Sequence, residues 1–133
     1  MDDCLFCKII KGEIPSSKVY EDEKTYVFMD IAADVDGHML VIPKEHCVNF
    51  LDASKEALHA VAETVQKVSK HLIDDCGYEG VNVFNCTNAC AGQSVFHYHM
   101  HIVPRKGGDG LPPVPSYTGA KEEIKAVFER VKM

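Results

Sequence analysis

The chain has no excess of basic residues, and this lack argues against one broad class of function. Lys and Arg number 14 against 20 Asp and Glu, so the formal net charge is −6. A protein that follows a nucleic-acid backbone needs a basic surface to neutralise the phosphates. We therefore expect no nucleic-acid partner. A small phosphorylated ligand is compatible with this charge, because local donors rather than net charge would bind it.

Long apolar runs are lacking as well. No stretch approaches the roughly 20 apolar residues of a membrane span, and the opening MDDC contains no apolar segment like that of a secretory signal. We expect a soluble, cytoplasmic protein without a membrane partner. In a reducing compartment its six cysteines would be thiols or metal ligands rather than disulfides.

Internal repeats and low-complexity tracts are also absent, and 133 residues suffice for one domain with a proper core. Apolar patterns predict two strands around the acidic turn at 21–24 and further strands over 37–43, 80–85 and about 95–103. Helical patterns predict a short helix within 2–11, a long helix over 54–76 and a terminal helix marked by Ile124, Val127, Phe128 and Val131. Short connections favour antiparallel pairing, so the predicted class is α+β.

The stretch FHYHMHIV, residues 96–103, places a histidine at every second position: His97, His99 and His101. Side chains alternate between the two faces of a strand, so the pattern predicts one imidazole face and one apolar face. Three interpretations are open. The rings could simply fill space, but each buried ring would then need a polar partner. A His-x-His pair could bind a catalytic metal ion, or a neutral imidazole could attack phosphorus.

The surroundings of these histidines bear on the choice. Metal sites usually add a carboxylate or another histidine, and no Asp or Glu lies between Glu79 and Asp109. Just upstream, Gly92, Gln93 and Ser94 offer a flexible backbone and two polar side chains where phosphate oxygens would need donors. The pattern therefore favours nucleophilic chemistry without excluding a distant metal ligand.

Cys4 and Cys7 form a Cys-x-x-Cys pair, which is typical of half a structural zinc site or of a redox pair, and which also arises by coincidence. No second such pair follows, so a zinc site would have to use histidines, and His46 and His97 are available. Asp30, at the end of a predicted strand, is either a turn former or a carboxylate for the hydroxyls of a ribose. The remaining histidines and cysteines are assigned no role: His38, His59, His71, Cys47, Cys76, Cys86 and Cys90.

The segment GQSVFHYHMHIVPR, residues 92–105, resembles the signature of the histidine triad (HIT) family. CLFCKIIKGEIPSSKVYEDE, VFMDI and GHMLVIPKEH also look like family segments in the expected order, so the resemblance covers about 4–105. It implies a single HIT domain over 1–133, with a variable tail at 106–133. The implied fold is an antiparallel sheet of about five strands, with one long and one C-terminal helix and with the sheet extended across a homodimer.

The resemblance also implies an activity, namely a nucleotide hydrolase or transferase acting at the α-phosphorus of nucleoside phosphoramidates or dinucleoside polyphosphates. His99 would form a nucleotidyl-histidine, and His101 would contact the phosphate and help to protonate the leaving group. Gln93 and Ser94 match positions that hold phosphate oxygens or the leaving group, and Asp30 matches the ribose carboxylate of a purine nucleotide site. The implied walls of the base pocket are Leu5, Phe6, Ile9, Phe28 and Ile31.

Members of the zinc-carrying branch hold a structural zinc ion with the cysteine pair and two histidines. Here these would be Cys4, Cys7, His46 and His97. One departure concerns the Asn-x-Gly that often precedes Gly-Gln in the family. In this chain Cys86 falls where the asparagine would be and Asn88 replaces the glycine, so neither Asn85 nor Asn88 is predicted as a site. Two alternatives are retained: a nucleotide-binding adaptor with weak or no catalysis, and a metal-dependent enzyme that uses the His-x-His pair.

Overall fold

The computed structural model of the chain describes residues 3–31, 34–114 and 117–133. The helices in these ranges are α1 (Leu5–Ile10), α2 (Lys55–Asp74) and α3 (Ile124–Val131), and the strands are β1 (Lys18–Glu21), β2 (Thr25–Met29), β3 (Met39–Pro43), β4 (Gly80–Phe84) and β5 (Met100–Arg105). None of these helices is both long enough and apolar enough to cross a membrane. The predicted α+β class is confirmed.

The five strands form one sheet in the order β1-β2-β3-β5-β4, and every neighbouring pair is antiparallel. Helix α2 begins after Ser54, whose hydroxyl accepts a hydrogen bond from the Ala57 N–H at 3.0 Å, which is typical of a serine N-cap. The strands β1 and β4 lie at the two edges, and β2, β3 and β5 lie inside, where they carry the central apolar residues.

Alternation along the strands separates the core into two layers. On one face, Val27, Val41 and Ile102 pack with Val61 and Val68 of α2. On the other face, the strand side chains of opposite parity pack against Phe6 and Ile9 of α1. These strand residues are Tyr26, Phe28, Leu40 and Ile42. Full burial of one such aliphatic side chain contributes about 1.5–3 kcal/mol. Both helices are therefore held to the sheet by apolar contact.

The prediction of a strand over 95–103 is wrong in its first half. Residues 95–97 form a bend, and β5 begins only at Met100. The Tyr98 N–H donates to the Cys47 carbonyl at 2.9 Å instead of to a neighbouring strand. The His97 ring, which is fully buried, donates to the Pro43 carbonyl. These partners lie far away in sequence, and they hold the segment off the sheet, so His101 alone of the three histidines lies on the strand.

The predicted terminal helix is confirmed as α3, although none of its residues is buried. Its apolar side chains Ile124, Phe128 and Val131 are 84%, 55% and 64% exposed. An ion pair at 2.9 Å joins Arg130, in the last turn of the helix, to Glu122, which precedes it. The amphipathic pattern therefore specifies this helix, but the apolar face does not join the core described above.

Candidate active site

Two cysteines and two histidines converge where α1 meets the bend before β5. The Sγ of Cys4 lies 3.4 Å from Nδ1 of His97, and the Sγ of Cys7 lies 3.4 Å from Nδ1 of His46 and 3.6 Å from that of His97. The two Nδ1 atoms are 3.2 Å apart. The structure thus brings together the four residues that the resemblance assigns to a metal.

These separations match the edges of a tetrahedron around a zinc ion. Zinc bonds of about 2.3 Å to sulfur and about 2.0–2.1 Å to nitrogen give sulfur–nitrogen edges of roughly 3.5 Å and nitrogen–nitrogen edges of roughly 3.4 Å. The donor set is soft thiolate with imidazole, which suits zinc. The cluster is closed by four protein ligands, so it fits a structural ion rather than a catalytic one.

The position of Cys4 explains how the local sequence builds half of this cluster. Its Sγ accepts a hydrogen bond from the Cys7 N–H at 3.3 Å and so caps the N-terminus of α1. The three-residue spacing places both thiols on the same side of the first helical turn. Burial and the neighbouring Cys4 thiol raise the pKa of Cys7 above its ordinary value, so an ion that binds here has to displace a proton.

His97 and His99 are held in opposite tautomers. A carbonyl can only accept, so the 2.8 Å contact of His97 with the Pro43 carbonyl places its proton on Nε2 and leaves Nδ1 for the cysteine cluster. In His99 the contact with the His97 carbonyl, at 2.7 Å, places the proton on Nδ1 and leaves the lone pair on Nε2. Neighbouring histidines are therefore prepared for different chemistry.

Burial keeps these rings neutral near pH 7. Burial lowers the pKa of His97 to about 4 and also lowers the pKa of His99, in spite of the hydrogen bond that His99 donates to the His97 carbonyl. The edge of the Phe6 ring lies against His99, with centroids 5.2 Å apart. A neutral imidazole with a fixed proton on Nδ1 is the form that can attack through Nε2.

His101 is paired with a histidine to which the sequence analysis assigned no role. Its Nδ1 lies 2.8 Å from Nε2 of His38, and the Nδ1 of His38 lies 2.8 Å from Oδ1 of Asp34. The Phe84 ring stacks on His101, with centroids 4.4 Å apart and planes 5° apart. Burial, followed by the neighbouring His99 and His38, lowers the pKa of His101 to about 4.

A signal for His38 was present in the strand register. Leu40 pairs with His101 in the antiparallel ladder of β3 and β5, and His38 has the same parity as Leu40. Residues of one parity share a sheet face, and diagonal neighbours on that face lie within reach of each other. The register of the two predicted strands is therefore the sequence signal for this contact.

The loop before the bend is held by Gln93, which is buried. Its amide nitrogen donates to the carbonyls of Val48 and Val95 at 2.7 and 3.1 Å. Its amide oxygen accepts from the Asn88 N–H at 2.8 Å and from the Asn49 amide at 3.4 Å. A phosphate contact by the Gln93 side chain would have to replace one of these bonds. The adjacent Ser94 is exposed.

The residues that depart from the family pattern lie in the same loop. Asn88 has a φ of +72°, so it adopts the positive φ that a glycine would adopt there. The Asn85 amide donates to the His99 carbonyl at 2.9 Å, which ties the end of β4 to the segment that carries His99. Cys86 is half-buried and lies beside Gly92. The sequence alone does not predict this contact of Asn85.

The residues predicted for nucleotide binding are only partly brought together. Phe6, Ile9 and Phe28 belong to one buried cluster on the α1 face. Leu5 is 44% exposed and Ile31 is 95% exposed. The remaining predicted residue is Asp30, which is half-buried, and its Oδ2 lies 3.7 Å from the nearest ring nitrogen of His38.

The HIT domain model matches residues 11–108, which is well over half of the chain. The chain belongs to the HIT family. A Bacillus subtilis protein named hit is 47% identical over 114 residues, covering 85% of this chain and 79% of the relative. An adenosine 5'-monophosphoramidase of Schizosaccharomyces pombe is 41% identical over 130 residues, covering 96% and 95%.

A solved structure extends the comparison to the fold. A zinc-bound histidine triad family protein from Mycobacterium smegmatis matches with a TM-score of 0.79 and 36% identity, covering 84% of this chain and 81% of that one. HIT family membership, as predicted from the signature over 92–105, is thus confirmed, and so is the HIT fold.

Proposed function

We propose that this HIT protein hydrolyses or transfers nucleotides at the α-phosphorus through a covalent intermediate on His99. The observation that supports this most is the hydrogen bond from Nδ1 of His99 to the His97 carbonyl at 2.7 Å. It leaves the Nε2 lone pair available on a buried, neutral ring. Substrates of the proposed class are purine nucleoside phosphoramidates and dinucleoside polyphosphates.

The proposed reaction has two steps. In the first, Nε2 of His99 forms a bond to the α-phosphorus while the bond to the leaving group breaks, and the leaving group takes up a proton that Nε2 of His101 has accepted from solvent. In the second, water attacks the same phosphorus, the bond to Nε2 breaks, and the proton lost by the water goes back to His101. The second step restores neutral His99 with its lone pair on Nε2.

The binding roles are proposals as well. Ser94, which is exposed in the loop beside the bend, would hold a phosphate oxygen or the leaving group, and Gln93 would keep that loop in place. Asp30 would accept hydrogen bonds from the ribose hydroxyls. The base would lie against the Phe6, Ile9 and Phe28 cluster, with Leu5 and Ile31 at the more exposed side of the pocket.

Cys4, Cys7, His46 and His97 would hold a structural zinc ion, which would pin α1 against the segment that carries His99. This proposal is supported by the tetrahedral spacing of their donor atoms. We also propose a homodimer in which the sheet continues across β4. That strand lies at a sheet edge, and its Val83 and Phe84 side chains are each 40% exposed.

The alternative of a metal-dependent enzyme that uses the His-x-His pair has little support. Among the described residues, two groups are able to hold a metal ion. One is Cys4, Cys7, His46 and His97, and the other is Asp30, His38 and His101. Neither contains two neighbouring histidines of the triad. A nucleotide-binding adaptor would differ from the proposed enzyme only in its weak or absent turnover of the nucleotide substrate.

Turnover of an adenosine phosphoramidate by His99→Ala tests the proposal. We expect the variant to lose hydrolysis while it keeps its fold and its affinity for AMP, because the substitution removes the nucleophile and leaves the proposed ribose and base contacts. His59→Ala, which changes an exposed histidine on α2, serves as the matched control and should keep full activity. Hydrolysis by His99→Ala at the wild-type rate would refute the mechanism.

A further inference from the structure

A chain of three polar side chains runs from the surface to His101. Oδ1 of Asp34 lies 2.8 Å from Nδ1 of His38, and Nε2 of His38 lies 2.8 Å from Nδ1 of His101. We propose that Asp34 is a positioning residue that fixes the tautomer of His38 and so lets His38 share the proton that His101 handles. This inference rests on the proposed function of the site.

The direction of each hydrogen bond follows from which of the two atoms is able to donate a proton. A carboxylate only accepts, so the proton that faces Asp34 is on Nδ1 of His38. In neutral His38 the lone pair is then on Nε2 and accepts the Nδ1 proton of His101, which leaves Nε2 of His101 as a base. When one proton is added, both nitrogens of His101 become protonated, or the proton between the rings moves to His38. The pair can thus release or take up one proton at His101.

Asp34 is better placed for this role than Asp30. The Oδ2 of Asp30 lies 3.7 Å from Nδ1 of His38, which is beyond hydrogen-bond length. Asp30 is the residue proposed to bind the ribose hydroxyls, so a bound nucleotide would engage its oxygens. Two aspartates four residues apart therefore divide two tasks, with one on the sugar and the other on the histidine.

The charges around His38 favour a shared proton. Its side chain is only 7% exposed, and the titratable groups that face it are Asp34 and Asp30 on one side and His101 and His99 on the other. One oxygen of Asp34 and one of Asp30 lie 2.8 and 3.7 Å from Nδ1 of His38. A proton passed from His101 to His38 therefore moves toward negative charge and away from His99.

The expected size of the effect is moderate, because the Asp34 side chain is 57% exposed and solvent screens its charge. Partly exposed ion pairs contribute up to about 1 kcal/mol, which corresponds to roughly a two- to fivefold change in rate. The hydrogen bond also stabilises the carboxylate and lowers the pKa of Asp34, as expected for a direct contact between the two groups.

Two substrates separate proton delivery from a general structural role. One is an adenosine alkylphosphoramidate, whose amine leaves only after protonation, and the other is the para-nitrophenyl ester of AMP, whose leaving group departs as an anion. For Asp34→Asn we expect kcat/KM, which reports on the steps up to departure of the leaving group, to fall about two- to fivefold on the phosphoramidate and to stay unchanged on the ester. Asp34→Glu should restore part of the loss. Asp36→Asn, a change at an exposed aspartate of the same loop, is the control and should behave as wild type on both substrates.

Equal losses on both substrates, or no loss on either, would overturn the inference while leaving the nucleophile in place, since wild type and His99→Ala, compared in the same assay, report on His99. A readout independent of turnover is the NMR spectrum of the ring nitrogens. It should show the His38 proton on Nδ1 in the wild type and a mixture of tautomers in Asp34→Ala. A His38 tautomer that is identical in both proteins would also overturn the inference, even if the chain had no hydrolase activity.

Discussion

Replacing Cys4 with serine separates two roles that the structure gives to one sulfur atom. The Sγ caps α1 by accepting from the Cys7 N–H at 3.3 Å, and it lies 3.4 Å from Nδ1 of His97 in the proposed zinc site. Serine is among the best N-cap residues, so its hydroxyl can take over the first role. It is a poor substitute for a thiolate in the second, because an alcohol does not ionise near neutral pH.

The size of the effect follows from linkage. Zinc that is present at about 100 times its dissociation constant stabilises the folded state by about 2.7 kcal/mol. For a chain of this length, 1 kcal/mol corresponds to about 3–5 °C, so the zinc-dependent rise in Tm should be roughly 10 °C in the wild type. Cys4→Ser should lose most of that rise and yet match or slightly exceed the wild-type Tm when a chelator is present.

Scanning calorimetry in chelator and in buffered free zinc measures both values. Cys90→Ser is the matched control, because Cys90 is exposed and lies outside the metal cluster, and it should keep the zinc-dependent rise in full. A loss of Tm in Cys4→Ser that is equally large with and without zinc would refute the reasoning. A wild-type Tm that does not respond to zinc would refute the metal site itself.

Two further predictions concern a tight turn and a buried histidine. Gly37→Ala should lower the free energy of unfolding, measured in urea, by about 1–3 kcal/mol, because φ is +84° and an added Cβ would lie 2.8 Å from Cγ of Pro104. Gly12→Ala is the control, because φ is +79° there but an added Cβ would meet open space, and its loss of stability should be smaller. Equal losses in the two variants would contradict the proposed clash. The pKa of His101 is lowered from 6.5 to about 4, so the unfolded chain binds more protons between these values and stability should fall as the pH drops through that window. The Tm of the wild type should therefore decrease more between pH 7 and pH 5 than that of His101→Gln, and parallel decreases would contradict the burial argument.

Local patterns predict much of this fold, because they report on short-range physics. Residues 54–76 carry a helical apolar stripe, a serine cap and a following glycine, and the helix is observed at Lys55–Asp74. The apolar run of 37–43, which ends at a proline, likewise predicts β3 to within two residues. In such segments propensity, pattern and tertiary contact all favour the same structure.

The bend at 95–97 could not be predicted in this way, because its causes lie elsewhere in the chain. Strict alternation favours a strand, but the buried ring of His97 donates to the carbonyl of Pro43, 54 residues away. The contact of His38 with His101 was missed for the same reason, since the two are 63 residues apart in sequence. Only the pairing of β3 with β5 brings these two positions together, and no pattern within either segment shows it.

The most direct test of the account is an intact-protein mass spectrum after brief incubation with an adenosine phosphoramidate. The His101→Ala variant slows hydrolysis of the intermediate, and the sample is quenched without acid, because a phosphorus–nitrogen bond to histidine breaks in acid. We predict a species heavier by one adenylyl group, which is absent when His99→Ala is added to the same variant. An unmodified mass in a protein that still binds the nucleotide would contradict covalent catalysis by His99 and favour a binding protein.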